Sequence, residues 1–146
     1  MSKFTCFLLC IVAMSLSSVH VARGEKSLRD ALRPVIVACS QEHGVTDAEI
    51  QAAKDAGSPE TIKPCFIACV FKKAGFINDK GELDLETGLK NLRQFVKNEE
   101  QYNKYENVAK ECVSVKDKPV TDGKAGCERG ALLAACFLDH RASIII

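Results

Sequence analysis

Six cysteines fall in residues 25–146 of this 146-residue chain, and their spacing limits its folding more than any other feature. They are Cys39, Cys65, Cys69, Cys112, Cys127 and Cys136, with 25, 3, 42, 14 and 8 residues between them. An even number, widely spread in a chain carrying an export signal, reads as three disulfides. Zinc would need two close Cys or Cys/His pairs, and only Cys65 and Cys69 are close, so no metal site is expected.

The export signal is residues 1–24. Lys3 gives a positive start, Phe4 to Met14 is a short apolar run, and Ala22 and Gly24 are small residues suited to cleavage after Gly24. The apolar run is well short of the roughly 20 residues a spanning helix needs, so a membrane anchor is the weaker reading. Cleavage would remove Cys6 and Cys10, leaving a domain at 25–146. It would also take Lys3 and Arg23 but no acidic residue, so the net charge of +1 becomes −1. That balance gives no electrostatic case for nucleic acid, and no Asn-x-Ser/Thr acceptor is present.

The spacing of apolar residues predicts helices throughout. Leu28, Leu32, Val35 and Cys39 share one helical face. Ser27 is the candidate N-cap of this helix, and Pro34 marks a kink or restart. Thr46 and Glu49 form a capping box for a second helix that Gly57 ends. Pro64 opens a third, closed by Lys72, Lys73 and Gly75. NDKGELD, residues 78–84, is a turn; its spacing does not meet that of a calcium loop. Asp84 caps a fourth helix bearing Leu85, Leu89, Leu92 and Phe95 or Val96 on one face, Asn98 and Gln101 start a fifth, and Asp122 caps a sixth running to about Leu138. The expectation is an all-α fold of about six helices.

Helix geometry narrows the fifteen cysteine pairings. Cys65 and Cys69 lean the same way on one helix and should bridge to two different elements. Cys127 and Cys136, nine residues apart, point to opposite sides of a shared helix. An interlaced pattern is favoured, and several interlaced options remain open.

This spacing, above all x3 and x8, resembles that of the insect odorant- and pheromone-binding protein family across essentially all of residues 25–146, and GFINDKGELDLETGL resembles the family's turn between helices three and four. The resemblance implies six helices around an internal apolar cavity and the bridges Cys39–Cys69, Cys65–Cys127 and Cys112–Cys136. Loops of those lengths contribute about 3.5–4.3 kcal/mol each by chain-entropy arithmetic, enough to hold helices apart around a space that a small core could not otherwise spare. The implied function is a secreted carrier of a small hydrophobic odorant or pheromone in the lymph around sensory neurons. An odorant receptor and a second copy of the chain are candidate partners, and neither a cofactor nor stable membrane insertion is implied.

Candidate ligand contacts come from apolar helix faces: Ile67, Val70 and Phe71 on CFIACVF, then Phe76, Leu89, Leu92, Val108, Ala131 and Leu133. Tyr102 and Tyr105 offer hydroxyls. Gly126, Gly130 and Ala134 form a small-residue stripe best read as close helix packing. The Ile144–Ile146 tail reads as a lid over the cavity, with a dimer contact as the alternative, and His140 beside it is a candidate pH-responsive group. No catalytic constellation is present, because all six cysteines are committed to bridges and neither His43 nor His140 has an evident nucleophile. The alternatives are a carrier outside smell and, from another class, a saposin-like membrane-active protein with a different disulfide map.

Overall fold

The structure is a computed structural model. It describes residues 19–140, with side chains from Leu28 onward apart from Arg29. Most of the expected leader and the Ile144–Ile146 tail, the expected lid, therefore lie outside the described residues. Among the described residues six α-helices follow one another: α1 Val19–His43, α2 Asp47–Ala56, α3 Pro64–Ala74, α4 Leu85–Phe95, α5 Glu99–Glu111 and α6 Cys127–Asp139. Three short 3-10 segments lie at Pro59–Thr61, Cys112–Asp117 and Gly123–Ala125. Among the described residues the extended pairing is a single bridge, Ile77 with Leu83, closing the turn between α3 and α4.

Most helix ends follow from local chemistry. Thr46 and Glu49 cap each other reciprocally at the start of α2, and Gly57 ends it in the left-handed conformation. Pro64 opens α3 and Gly75, at φ +89°, closes it behind Lys72 and Lys73. Asp84 accepts from the Thr87 N–H, and Asn98 from that of Gln101. In the NDKGELD turn, Asn78 Oδ1 accepts from the Lys80 and Glu82 N–H groups at 2.9 and 3.0 Å.

Three expectations about ends are corrected. Ser27 is not a cap, because position 27 lies inside α1. The helix is also continuous through Pro34 rather than restarting there; the cost of that residue is one missing intrahelical hydrogen bond. At the other end α6 starts at Cys127, behind Gly126 at φ +67°, and not at Asp122. Asp122 instead opens the 3-10 turn, and its carboxylate reaches across to the Glu128 N–H at 3.0 Å.

The disulfides are Cys39–Cys69, Cys65–Cys127 and Cys112–Cys136, the interlaced set that the family resemblance implies. They tie α3 to α1 and to α6, and tie the end of α5 back to α6. Packing reinforces the same axis. A Cβ on Gly130 of α6 would lie 2.7 Å from Ala68 Cα of α3, so the two helices approach backbone to backbone. The small-residue stripe is therefore a packing seam.

Two buried clusters form the core. Cys39, Val45, Ile62, Phe66 and Ile67 make one; Val108, Cys112, Val115 and Leu133 make the other. Phe71 packs against both. Arg129 is buried beside the second cluster, without a carboxylate partner among the described residues. Its guanidinium donates to the carbonyls of Val115 and Lys118, the latter at 2.8 Å, and so holds the chain following Cys112.

Candidate ligand-binding site

α4 carries no cysteine, and it closes one side of an apolar cavity. The cavity holds about 320 Å³ and is walled by Leu28, Ala31, Leu32 and Val35 of α1, by Val70, Phe71 and Ala74 of α3, by Phe76, and by Leu92 and Phe95 of α4. Lys73, Asn91 and Gln94 supply its polar atoms. Phe95 is 46% exposed, so the wall opens to solvent there. A second apolar space of about 190 Å³ adjoins it, walled by Phe76, Leu92, Tyr105, Ala109 and Phe137.

The wall is built on two missing side chains. A Cβ on Gly88 would lie 2.4 Å from the Phe76 ring, so the ring rests on bare α4 backbone. A Cβ on Gly75 would lie 2.5 Å from Asn91 Nδ2, and through that gap Asn91 donates to the Ala74 carbonyl at 3.1 Å. Phe71, Phe76 and Phe137 meet in a three-ring cluster with centroids 5.8–6.3 Å apart, within the range of favourable aromatic pairs.

Of the expected contacts, Val70, Phe71, Phe76 and Leu92 come together around the larger cavity. Ile67, Val108 and Leu133 lie instead in the buried clusters. Leu89 and Ala131 are half-buried and line neither cavity. Tyr105 joins the wall of the smaller space. Tyr102 faces elsewhere, with the Arg93 guanidinium 4.4 Å from its ring centroid. The α1 residues and Phe137 belong to the walls but were absent from the sequence-derived set. Leu28, Leu32 and Val35 did stand out as one apolar face; what sequence lacks is the partner that face turns toward.

Other concavities are of a different kind. A groove of about 410 Å³ runs over the Cys65 and Cys69 bridges between Glu42, His43, Lys72 and Lys73. A broad surface depression between α1 and α2 mixes Leu32, Ile36, Val37 and Ile50 with Asp30, Arg33, Asp47 and Lys54. Both are more open to solvent than the cavity behind α4. Two places among the described residues gather three potential metal ligands, Cys112/Cys136/His140 and Cys39/Glu42/Cys69. In each, both cysteines are oxidised in a disulfide, so no thiolate is offered. His140 Nδ1 lies 2.9 Å from Glu111. No described helix is long and apolar enough to cross a membrane.

Comparison with known proteins agrees with this architecture. The sequence model of the PBP/GOBP family matches residues 22–140. General odorant-binding protein 28a of Drosophila melanogaster is 30% identical over 92 residues, 61% of this chain and 64% of that relative's length. The chain thus spans a little under two thirds of the curated relative it matches. The solved structure of odorant-binding protein dmelOBP28a from Drosophila melanogaster superposes with a TM-score of 0.56 at 24% identity, covering 78% of this chain and 94% of that one. That likeness concerns the fold.

Proposed function

The chain belongs to the PBP/GOBP family, and from that premise we propose that it is a secreted, non-enzymatic carrier of a small hydrophobic ligand, an odorant or pheromone, held in the α1–α3–α4 cavity. The observation that carries the reading is the cavity itself, 320 Å³ with aliphatic and aromatic walls and polar groups confined to Lys73, Asn91 and Gln94. Its volume lies at the lower end of the range for small-molecule sites. Desolvation of apolar surface, at about 25 cal/mol per Å², supplies the affinity, and one or two hydrogen bonds supply orientation. Micromolar binding, about −8 kcal/mol, is the expected strength.

Carriage through aqueous lymph toward receptors follows from the same reading. So does cleavage after Gly24, which would leave α1 beginning at Glu25 and keep every cavity residue, Leu28 being the first. The bridge pattern and cavity give no support to the membrane-active alternative.

The chain has no tryptophan, so the test needs an external reporter. A fluorescent naphthylamine probe is titrated into protein purified after secretion of the full-length chain, then displaced with volatile alcohols, esters and fatty acids. Saturable one-to-one binding, displaced by some of these, is expected. Absence of probe binding by correctly bridged protein would overturn the reading.

A further inference from the structure

The two apolar spaces touch at one place. Among the described residues, Phe76 and Leu92 alone belong to the walls of both the 320 Å³ and the 190 Å³ cavities. Phe76 is the larger, and its backbone is fixed. Its N–H donates to the Phe71 carbonyl at 2.9 Å, and its carbonyl accepts from the Asp84 N–H at 2.8 Å. It follows Gly75, outside any helix, so no preceding helical turn restricts its χ1. The ring is positioned instead by Gly88, by the edge contact with Phe71 and by the edge contact with Phe137. The Phe137 contact puts it against the far wall of the smaller space.

We propose that the Phe76 ring is the partition that sets the length of the ligand. Resting on the carrier reading above, the inference says that an extended chain in the larger cavity ends against this ring. The smaller space behind it is apolar, and a chain lying in the larger cavity does not pass into it while the ring stays on Gly88. Trimming the ring joins the two spaces. Phe76 is then a specificity-determining residue, and the ligand class is an unbranched aliphatic chain of limited length.

The test is displacement of the naphthylamine probe by a homologous series of straight-chain primary alcohols, with the secreted wild-type chain, Phe76→Ala and Phe76→Leu in parallel. Each buried methylene is worth about 0.8 kcal/mol, about fourfold in affinity. In wild type, affinity should climb about fourfold per carbon and then stop climbing at one chain length. In Phe76→Ala that break should move several carbons longer, and in Phe76→Leu it should move less. A break at the same chain length in all three proteins would overturn the partition while leaving the carrier reading intact. Absence of saturable probe binding by correctly bridged wild type would overturn the carrier reading, and the partition with it; probe binding that no alcohol displaces would overturn the partition and its straight-chain ligand while leaving the carrier reading intact. Should Phe76→Ala not form its three bridges, seen as free thiols, the milder Phe76→Leu decides alone: a longer break supports the partition and an unchanged one overturns it.

Discussion

α3 and α4 enclose one cavity from two sides, yet they are held by different forces. α3 carries two cysteines, bridges to α1 and α6, and meets Gly130 of α6 backbone to backbone. α4 carries no cysteine. It is fixed by its caps, by Asn91 on the Ala74 carbonyl and by the Phe76 ring on Gly88. Covalent staples constrain the unfolded chain and leave the native geometry little room to vary. Side-chain contacts hold one arrangement and yield to another at modest cost. A cavity with one stapled wall and one packed wall can adjust its volume to a ligand without loosening the fold, and the adjustable wall is the one that bears Leu92 and Phe95.

The sharpest way to break this contrast is to remove a staple. Cys65→Ser with Cys127→Ser opens a 62-residue separation, and the expected loss is about 4 kcal/mol, read by urea unfolding. Next come two matched glycine substitutions. Gly130→Ala forces a Cβ within 2.7–2.9 Å of the Ala68 backbone. Overpacking of about 1–3 kcal/mol, set against about 1 kcal/mol gained in helix propensity, leaves a net loss of up to about 2 kcal/mol in the same assay. Gly88→Ala meets the Phe76 ring, a side chain rather than backbone, and must push it from its seat between Phe71 and Phe137. Stability should therefore fall less than in Gly130→Ala while probe affinity shifts measurably. Equal destabilisation by the two alanines would end the distinction between the walls.

The smallest effect is expected in α2, which has neither a bridge nor a cavity-lining residue and so serves as a reference. The hydrogen bond from the Thr46 N–H, and then that with its hydroxyl, hold the Glu49 carboxyl below its ordinary value of 4.5. The capping box therefore contributes fully above pH 4.5 and is lost as pH falls through the lower folded value. Protection factors of α2 amides should drop in that acid window, and Glu49→Gln should flatten the dependence.

Where sequence reading succeeded, the signal was local. Thr46, Gly57, Pro64, Gly75, Asp84 and Asn98 each act on backbone within a few residues, so the six helices of the fold were legible. Ser27 misled because a capping residue carries the same signal inside a helix as at its start. Asp122 misled because its carboxylate reaches Glu128 across an intervening 3-10 turn. For the cavity, periodicity identified which helix faces are apolar but not which would be filled. Ile67 and Val70 are three residues apart on one apolar helix, yet Ile67 is buried in a cluster while Val70, packed against that cluster, also lines the space. That division depends on which helices the bridges set side by side, and on where Gly75 and Gly88 allow a neighbour to come close.

Arg129 gives the fold a fastening of another kind. Its guanidinium grips the carbonyls of Val115 and Lys118 on the segment that follows Cys112. Cys112–Cys136 ties down the start of the same segment. A thiol reductant cuts the covalent tie and leaves the hydrogen-bonded one in place, because a guanidinium has no redox chemistry and stays charged across the physiological pH range. This corner of the molecule is therefore fastened twice by unrelated chemistries, so no single change of environment releases both.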